Sequence, residues 1–332
     1  MSIHILRSKV HLFHSIAGWP QSWKDYDNPN MGMVHPTQPP HDPADMRYYY
    51  DWIGREAAEL DVDGVIITTP HVRGSKLDDE ARMLFEARLY GLRQDSSVCD
   101  AQAIDEGLRS GFQHFRGEWT LYTGMPDEMD SAIWKDNSYC DGIVKASVGP
   151  WLGAQRPIGA GIHPGRIIRR AIVDSAGLQG TNPGCQAVIK SIRRNYPGVA
   201  VGAEGHCGRQ QYFACGGFLN SLTTDESWKH IVWGPKDSRG RPSVFTDWRT
   251  MTGPIFCAYT TPKMFDFEAG LELLRQGFSV AVQPWQISIS QGKETQPGAL
   301  DRWRIFMRQA RKISENFRHV PDKTLPASPA TS

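Results

Sequence analysis

Two carboxylates in this chain close apolar, β-branched runs. Asp174 ends AIVD and Glu204 ends VAVGAE, and each is followed by small residues. A carboxylate placed in this way stands at the open end of a strand. Two of them brought close together split their pKa values, so that one is held as an acid while the other stays ionised. Such a pair can protonate a leaving oxygen from one side and attack or stabilise the carbon from the other. A strand-end carboxylate can instead bind an arginine or a helix N-terminus, and Arg169 and Arg170 lie just before Asp174.

Short apolar runs that could position these groups recur along the whole chain. They are Val10–His14, Val65–Thr69, Trp119–Thr123, Ala171–Asp174, Val199–Glu204, Ile231–Trp233, Ile255–Tyr259 and Val280–Gln283. Near-continuous apolar runs of this length read as parallel strands buried on both faces. Helical stretches are expected between them, over 43–60, 78–92, 101–115, 183–196, 262–276 and 297–317. Pro183 suits a first helical turn, while Pro197-Gly198 and Gly277 are stop signals. Strands alternating with helices, closed by a C-terminal helix, predict an α/β fold of the (β/α)8 TIM-barrel type. The interval 124–170 is long and holds an extra apolar run, 142–151, so an insertion is expected between strands 3 and 4. The interval 234–254 lacks a helical period, so the barrel is expected to be distorted. The expected organisation is one barrel over 1–320 and a loose Pro/Ser/Thr-rich tail over 321–332.

In such barrels the active site lies at the strand C-terminal ends. The residues expected there are His14, Tyr122, Asp174, Glu204, Trp233, Tyr259, Gln283 and, just beyond their strands, Trp19, His206 and Trp285. Adjacent strands lie about 5 Å apart. Asp174 and Glu204 could therefore approach the roughly 5–5.5 Å separation of retaining glycoside hydrolysis, or splay to the roughly 6.5–9.5 Å of inverting enzymes. The chain holds 11 Trp, a high number for its length. Flat indole faces stack against the C–H faces of sugar rings, so Trp19, Trp233, Trp285, Tyr122 and Tyr259 are expected to line a sugar site, with His14, His206 and Gln283 bonding hydroxyls. Core packing is the ordinary alternative for each aromatic.

This arrangement resembles the barrel glycoside hydrolases. In the α-amylase-like group a nucleophilic Asp ends strand 4 and an acid/base Glu ends strand 5, the positions of Asp174 and Glu204. The resemblance implies those two roles here. It breaks after strand 7, where that group has a His-Asp pair and this chain has Tyr259-Thr260-Thr261. The group with a Glu at strands 4 and 7 fits less well, since neither Asp174 nor Tyr259 is a Glu.

Charge and composition exclude other classes. The net charge is +1, from 37 basic and 36 acidic residues, with no long basic run to favour nucleic acid or a membrane surface. No stretch is apolar enough to span a bilayer, and MSIHILRSKVHLFH does not read as a signal peptide, so a cytoplasmic protein or one released without such a signal is expected. The six cysteines include no CxxC pair, which argues for reduced thiols over a zinc ribbon. Neither GxGxxG nor a P-loop occurs, and no cofactor or metal is expected. His11 and His14 fall on opposite faces of one strand. A set of His14, Asp174, Glu204 and His206 around a divalent ion, as in metal-dependent isomerases or aldolases, is the competing enzyme reading. A non-catalytic barrel that binds carbohydrate or builds a virion or appendage is the competing non-enzymatic one.

Overall fold

The computed structural model describes residues 8–14, 43–68, 101–123, 136–157, 165–173, 183–204, 217–220, 255–258, 264–275, 277–290 and 293–317. Eight parallel strands close into a barrel in the order of the chain. They are β1 Val10–His14, β2 Gly64–Thr68, β3 Glu118–Thr123, β4 Ile168–Val173, β5 Ala200–Glu204, β6 Gly217–Asn220, β7 Ile255–Ala258 and β8 Ser279–Val282. The seam joins the two ends of the sequence, with Val10 opposite Val280 and Leu12 opposite Val282.

Strand alternation builds two apolar layers. Val10, Leu12, Val65, Ile67, Trp119, Leu121, Ala171, Val173, Val201, Val280 and Val282 face outward into the large core under the helices. Phe13, Ile66, Tyr122, Ile172 and Ala281 meet inside the barrel. Side chains thus fill the barrel interior as a packed core. The β3–β4 register shifts between Trp119 and Thr120, a local irregularity.

The surrounding helices are α1 Pro43–Glu59, α2 Ala101–His114, α3 Asn137–Ser147, α4 Gly149–Gly153, α5 Pro183–Asn195, α6 Phe267–Arg275 and α7 Ala299–Phe317. The insertion between β3 and β4 is α3 and α4, followed by a bridge between Gln155 and Arg166. Gly198 and Gly277 take φ of +93° and +90°, the left-handed geometry that suits glycine and stops the preceding helices. The helix expected from Pro262 begins at Phe267 instead. The Asp266 carboxylate accepts the Ala269 N–H at 3.0 Å, and this cap sets the first turn. The expected helix over 78–92 lies outside the described residues.

The sixth strand needs a larger correction. The strand between β5 and β7 is Gly217–Asn220, pairing Gly217 with Ala203 on one side and Ile255 on the other, while Ile231–Trp233, expected there, lies outside the described residues. The segment GFLN offers only two apolar residues and starts on glycine, so its β signal is weaker than that of Ile-Val-Trp. Barrel closure, a tertiary requirement, selects it. The interval before β7 is accordingly 221–254, longer than expected.

Helices α1 and α2 cross at two glycines. A Cβ on Gly54 would lie 2.2 Å from the Gly111 carbonyl oxygen, and one on Gly111 would lie 2.3 Å from that of Tyr50. Backbone cannot yield as a side-chain tip can. Gly54→Ala is therefore expected to destabilise the fold by about 1–3 kcal/mol through overpacking, although alanine favours helix. A urea midpoint equal to or above that of the parent would contradict this.

Candidate active site

The C-terminal strand ends carry the candidate groups. β4 and β5 are adjacent and in register, with Ile172 opposite Gly202 and Val173 opposite Ala203. Glu204 is the last residue of β5 and pairs with Phe218 of β6. Asp174 follows β4 and lies outside the described residues, as do Trp19, His206, Trp233 and Tyr259. Trp285 belongs to a 3-10 turn, Pro284–Ile287, directly after β8.

Three expected site residues have described side chains, and all three are enclosed. Tyr122 is 2% exposed and meets Phe13 edge-on inside the barrel at 6.0 Å between ring centroids. Gln283 is buried, and its backbone N–H donates to the Gln286 side-chain oxygen at 3.1 Å. His14 lies on the helix side of β1, continuing the outward set of Val10 and Leu12. Its Nε2 is 3.4 Å from Glu56 Oε2 of α1, and its ring meets Trp52 edge-on at 5.6 Å. The structure therefore directs His14 to α1, away from the barrel interior.

His11 takes the opposite face, as the three-residue spacing requires. It lies inside the N-terminal end of the barrel, its ring over Gly64, where any Cβ would lie 2.4 Å from it. Its Nε2 is 3.6 Å from Glu118 Oε2, and Arg170 Nε donates to Glu118 Oε1 at 2.6 Å. Burial alone would raise the Glu118 pKa. The Arg170 charge, with the hydrogen bond and charge of His11, outweighs burial and holds the carboxyl at about 2. Arg170, one of the two arginines near Asp174 in sequence, is thus engaged by Glu118 at the opposite end of the barrel from the strand ends.

Two positions escaped the sequence reading. Asn220 ends β6 and pairs with Ala258, so it belongs to the ring of strand ends. Glu118 opens β3 and forms the charged floor; a strand-start Glu before Trp-Thr-Leu was its only signal. Among the described residues no group of three or more His, Cys, Asp and Glu is arranged to hold a metal ion, and no helix is long and apolar enough to cross a membrane.

No protein-family model matches the chain, and no curated protein does. Solved structures align with the chain at low identity. The galactosidase domain of an alpha-galactosidase–sucrose kinase aligns with TM-score 0.48 and 12% identity over 94% of this chain and 42% of that one. An endo-alpha-mannosidase of glycoside hydrolase family 99 from Bacteroides thetaiotaomicron aligns with TM-score 0.43 and 11% identity, covering 93% and 99%. An N-acetylneuraminic acid synthetase from Leptospira borgpetersenii serovar Hardjo-bovis aligns with TM-score 0.41 and 8% identity, covering 96% and 87%. The chain spans 42% of the length of the first of these.

Proposed function

We propose that this chain hydrolyses a glycan, with Asp174 and Glu204 as the reacting carboxylates. The observation that carries the reading is the β4–β5 register, Val173 opposite Ala203, within a closed barrel. Asp174 and Glu204 come next in sequence after Val173 and Ala203, and continuation of that register is proposed to make them neighbours. The reading is supported by alternation from the inward Ile172 opposite Gly202, on which the proposal has both carboxylates facing the barrel mouth.

In the proposed mechanism Asp174 attacks the anomeric carbon as the glycosidic C–O bond breaks. The Glu204 carboxyl gives its proton to the departing oxygen. Glu204, now ionised, takes a proton from water, and the resulting hydroxide displaces Asp174 from the sugar. If the two carboxylates are too far apart for this, Asp174 instead serves as the base that activates water directly, and the anomeric configuration inverts. Trp285, beside β8, is proposed as a platform for a sugar ring, with Trp19, His206 and Tyr259 around it.

The test is the release of new reducing ends from a panel of α- and β-linked oligosaccharides. Cleavage of none of them would leave the carboxylates with a binding or structural role. Trp285→Ala is expected to raise the Kd or KM for a cleaved glycan about tenfold, a loss of about 1–2 kcal/mol of aromatic packing. A fall in melting temperature with affinity unchanged would assign Trp285 to the core instead.

A further inference from the structure

The turn that carries Trp285 is fastened from within and at both ends. Gln286 N–H donates to the Gln283 carbonyl at 3.0 Å and closes it. The Gln286 side chain then reaches back, and its Oε1 accepts the Gln283 N–H at 3.1 Å. The two glutamines are thus joined twice, once by backbone alone and once by a side chain that is fully buried. Between them Pro284 restricts φ at the second position of the turn. The Gln286 carbonyl accepts the Phe265 N–H at 2.9 Å. Phe265 is itself buried, its ring 5.3 Å from those of Phe267 in α6 and Phe306 in α7.

Past the turn, Ile287 and Ile289 enter the core, and the buried Ser288 between them holds φ at +57°. A non-glycine residue keeps that left-handed geometry only where its surroundings fix it. The Thr295 N–H, donated to the Ser288 carbonyl at 2.8 Å, helps to do so. The backbone around Trp285 therefore has a set course before any ligand is present. A binding loop already ordered in the free protein costs little to order on binding, whereas a wandering one is ordered at the expense of affinity. An aromatic platform gains from such order, because ring packing depends on angle and distance. Within this turn, Gln286 is the residue whose side chain supplies an acceptor to the backbone, which an apolar residue in the same buried place could not do.

We propose that Gln286 is a positioning residue for the proposed sugar platform: its side-chain oxygen locks the turn, so that the backbone at Trp285 is set before a glycan arrives. The inference rests on the reading of Trp285 given above. Gln286 acts through Trp285 and touches no reacting atom. Because β8 lies across the ring from β4, the lock bears on glycan binding and leaves the step at Asp174 and Glu204 alone.

Gln286→Met, which keeps the length of the side chain and removes the acceptor, tests this in the whole chain. Without glycan, hydrogen exchange at the Gln283 amide should speed up about three- to tenfold, the worth of one hydrogen bond. With a glycan that the parent cleaves, KM should rise by a similar factor while kcat stays within about twofold. Gln286→Glu, which keeps a side-chain oxygen, should stay near the parent in both measurements. In a Trp285→Ala background Gln286→Met should add nothing to KM, since the residue it positions is gone. Pro284→Ala, which frees the same turn at its second position, decides the matter by the same two measurements if Gln286→Met does not fold. Unchanged exchange, or faster exchange with KM unchanged while Trp285→Ala raises it, would overturn the inference. An unchanged KM in Trp285→Ala would instead overturn the reading of Trp285 on which the inference rests, whatever the exchange shows.

Discussion

Glu204→Gln is expected to lower glycan turnover by about 10²–10⁴-fold, the usual worth of a general acid, while leaving the melting temperature near that of the parent. The amide has nearly the size of the carboxyl but has no proton to give the leaving oxygen. The loss should shrink with substrates whose leaving group needs no protonation, such as dinitrophenyl glycosides. Asp174→Asn should do at least as much damage with every substrate, since an amide cannot form the glycosyl–enzyme ester. Azide added to Asp174→Ala should restore turnover by replacing the missing nucleophile, and the product should be a glycosyl azide of opposite anomeric configuration to the substrate. Wild-type rates in both amide variants, on a glycan that the parent cleaves, would show that neither carboxylate takes part.

The second large effect concerns the charged floor. Glu118 has its pKa lowered from 4.5 to about 2. A depressed carboxylate contributes stability above its unfolded pKa and loses it as protons bind, so the contribution is full above about pH 5 and fades between about pH 4.5 and 2. Arg170→Met is expected to cost about 3–5 kcal/mol at pH 7, because it leaves an ionised Glu118 nearly buried without its strongest counter-charge. The same change should flatten the acid dependence from this group, since the depression rests first on Arg170. Glu118→Leu combined with Arg170→Met should recover much of the loss, because no uncompensated charge remains. Urea unfolding at pH 7 and pH 3 checks all three. Parent and Arg170→Met curves that shift equally between those values would mean that Arg170 does not hold Glu118 ionised.

What could be read before the structure follows from which forces are local. Val10–His14 and 280–283 announce themselves as strands because β-branched and apolar residues suit a pleat buried on both faces. Their pairing across the seam is non-local and came only by inference from the barrel. The strand GFLN was missed because what makes it a strand is the gap between β5 and β7, not its own residues. Asp174 and Glu204 were legible as run-ending carboxylates. The direction of His14 was not, because a strand end has two faces and alternation does not say which one the barrel will enclose. Its pairing with Glu56 of α1 shows it.

The seam between β1 and β8 also governs how the chain must fold. Ser8 Oγ–H donates to the Leu274 carbonyl at 2.7 Å across 266 positions, and Trp303 Nε1–H donates to that of Leu60 at 2.8 Å. During synthesis β1 emerges before its neighbour β8 and waits for it while the six strands between them are made. Until then its open edge is a template for other strands. Contacts so distant in sequence require their loop-closure entropy to be met before any stabilisation returns, which places this topology among the slower-folding ones. Closing the seam is what turns a curved, sticky ribbon into a ring with no edge to offer.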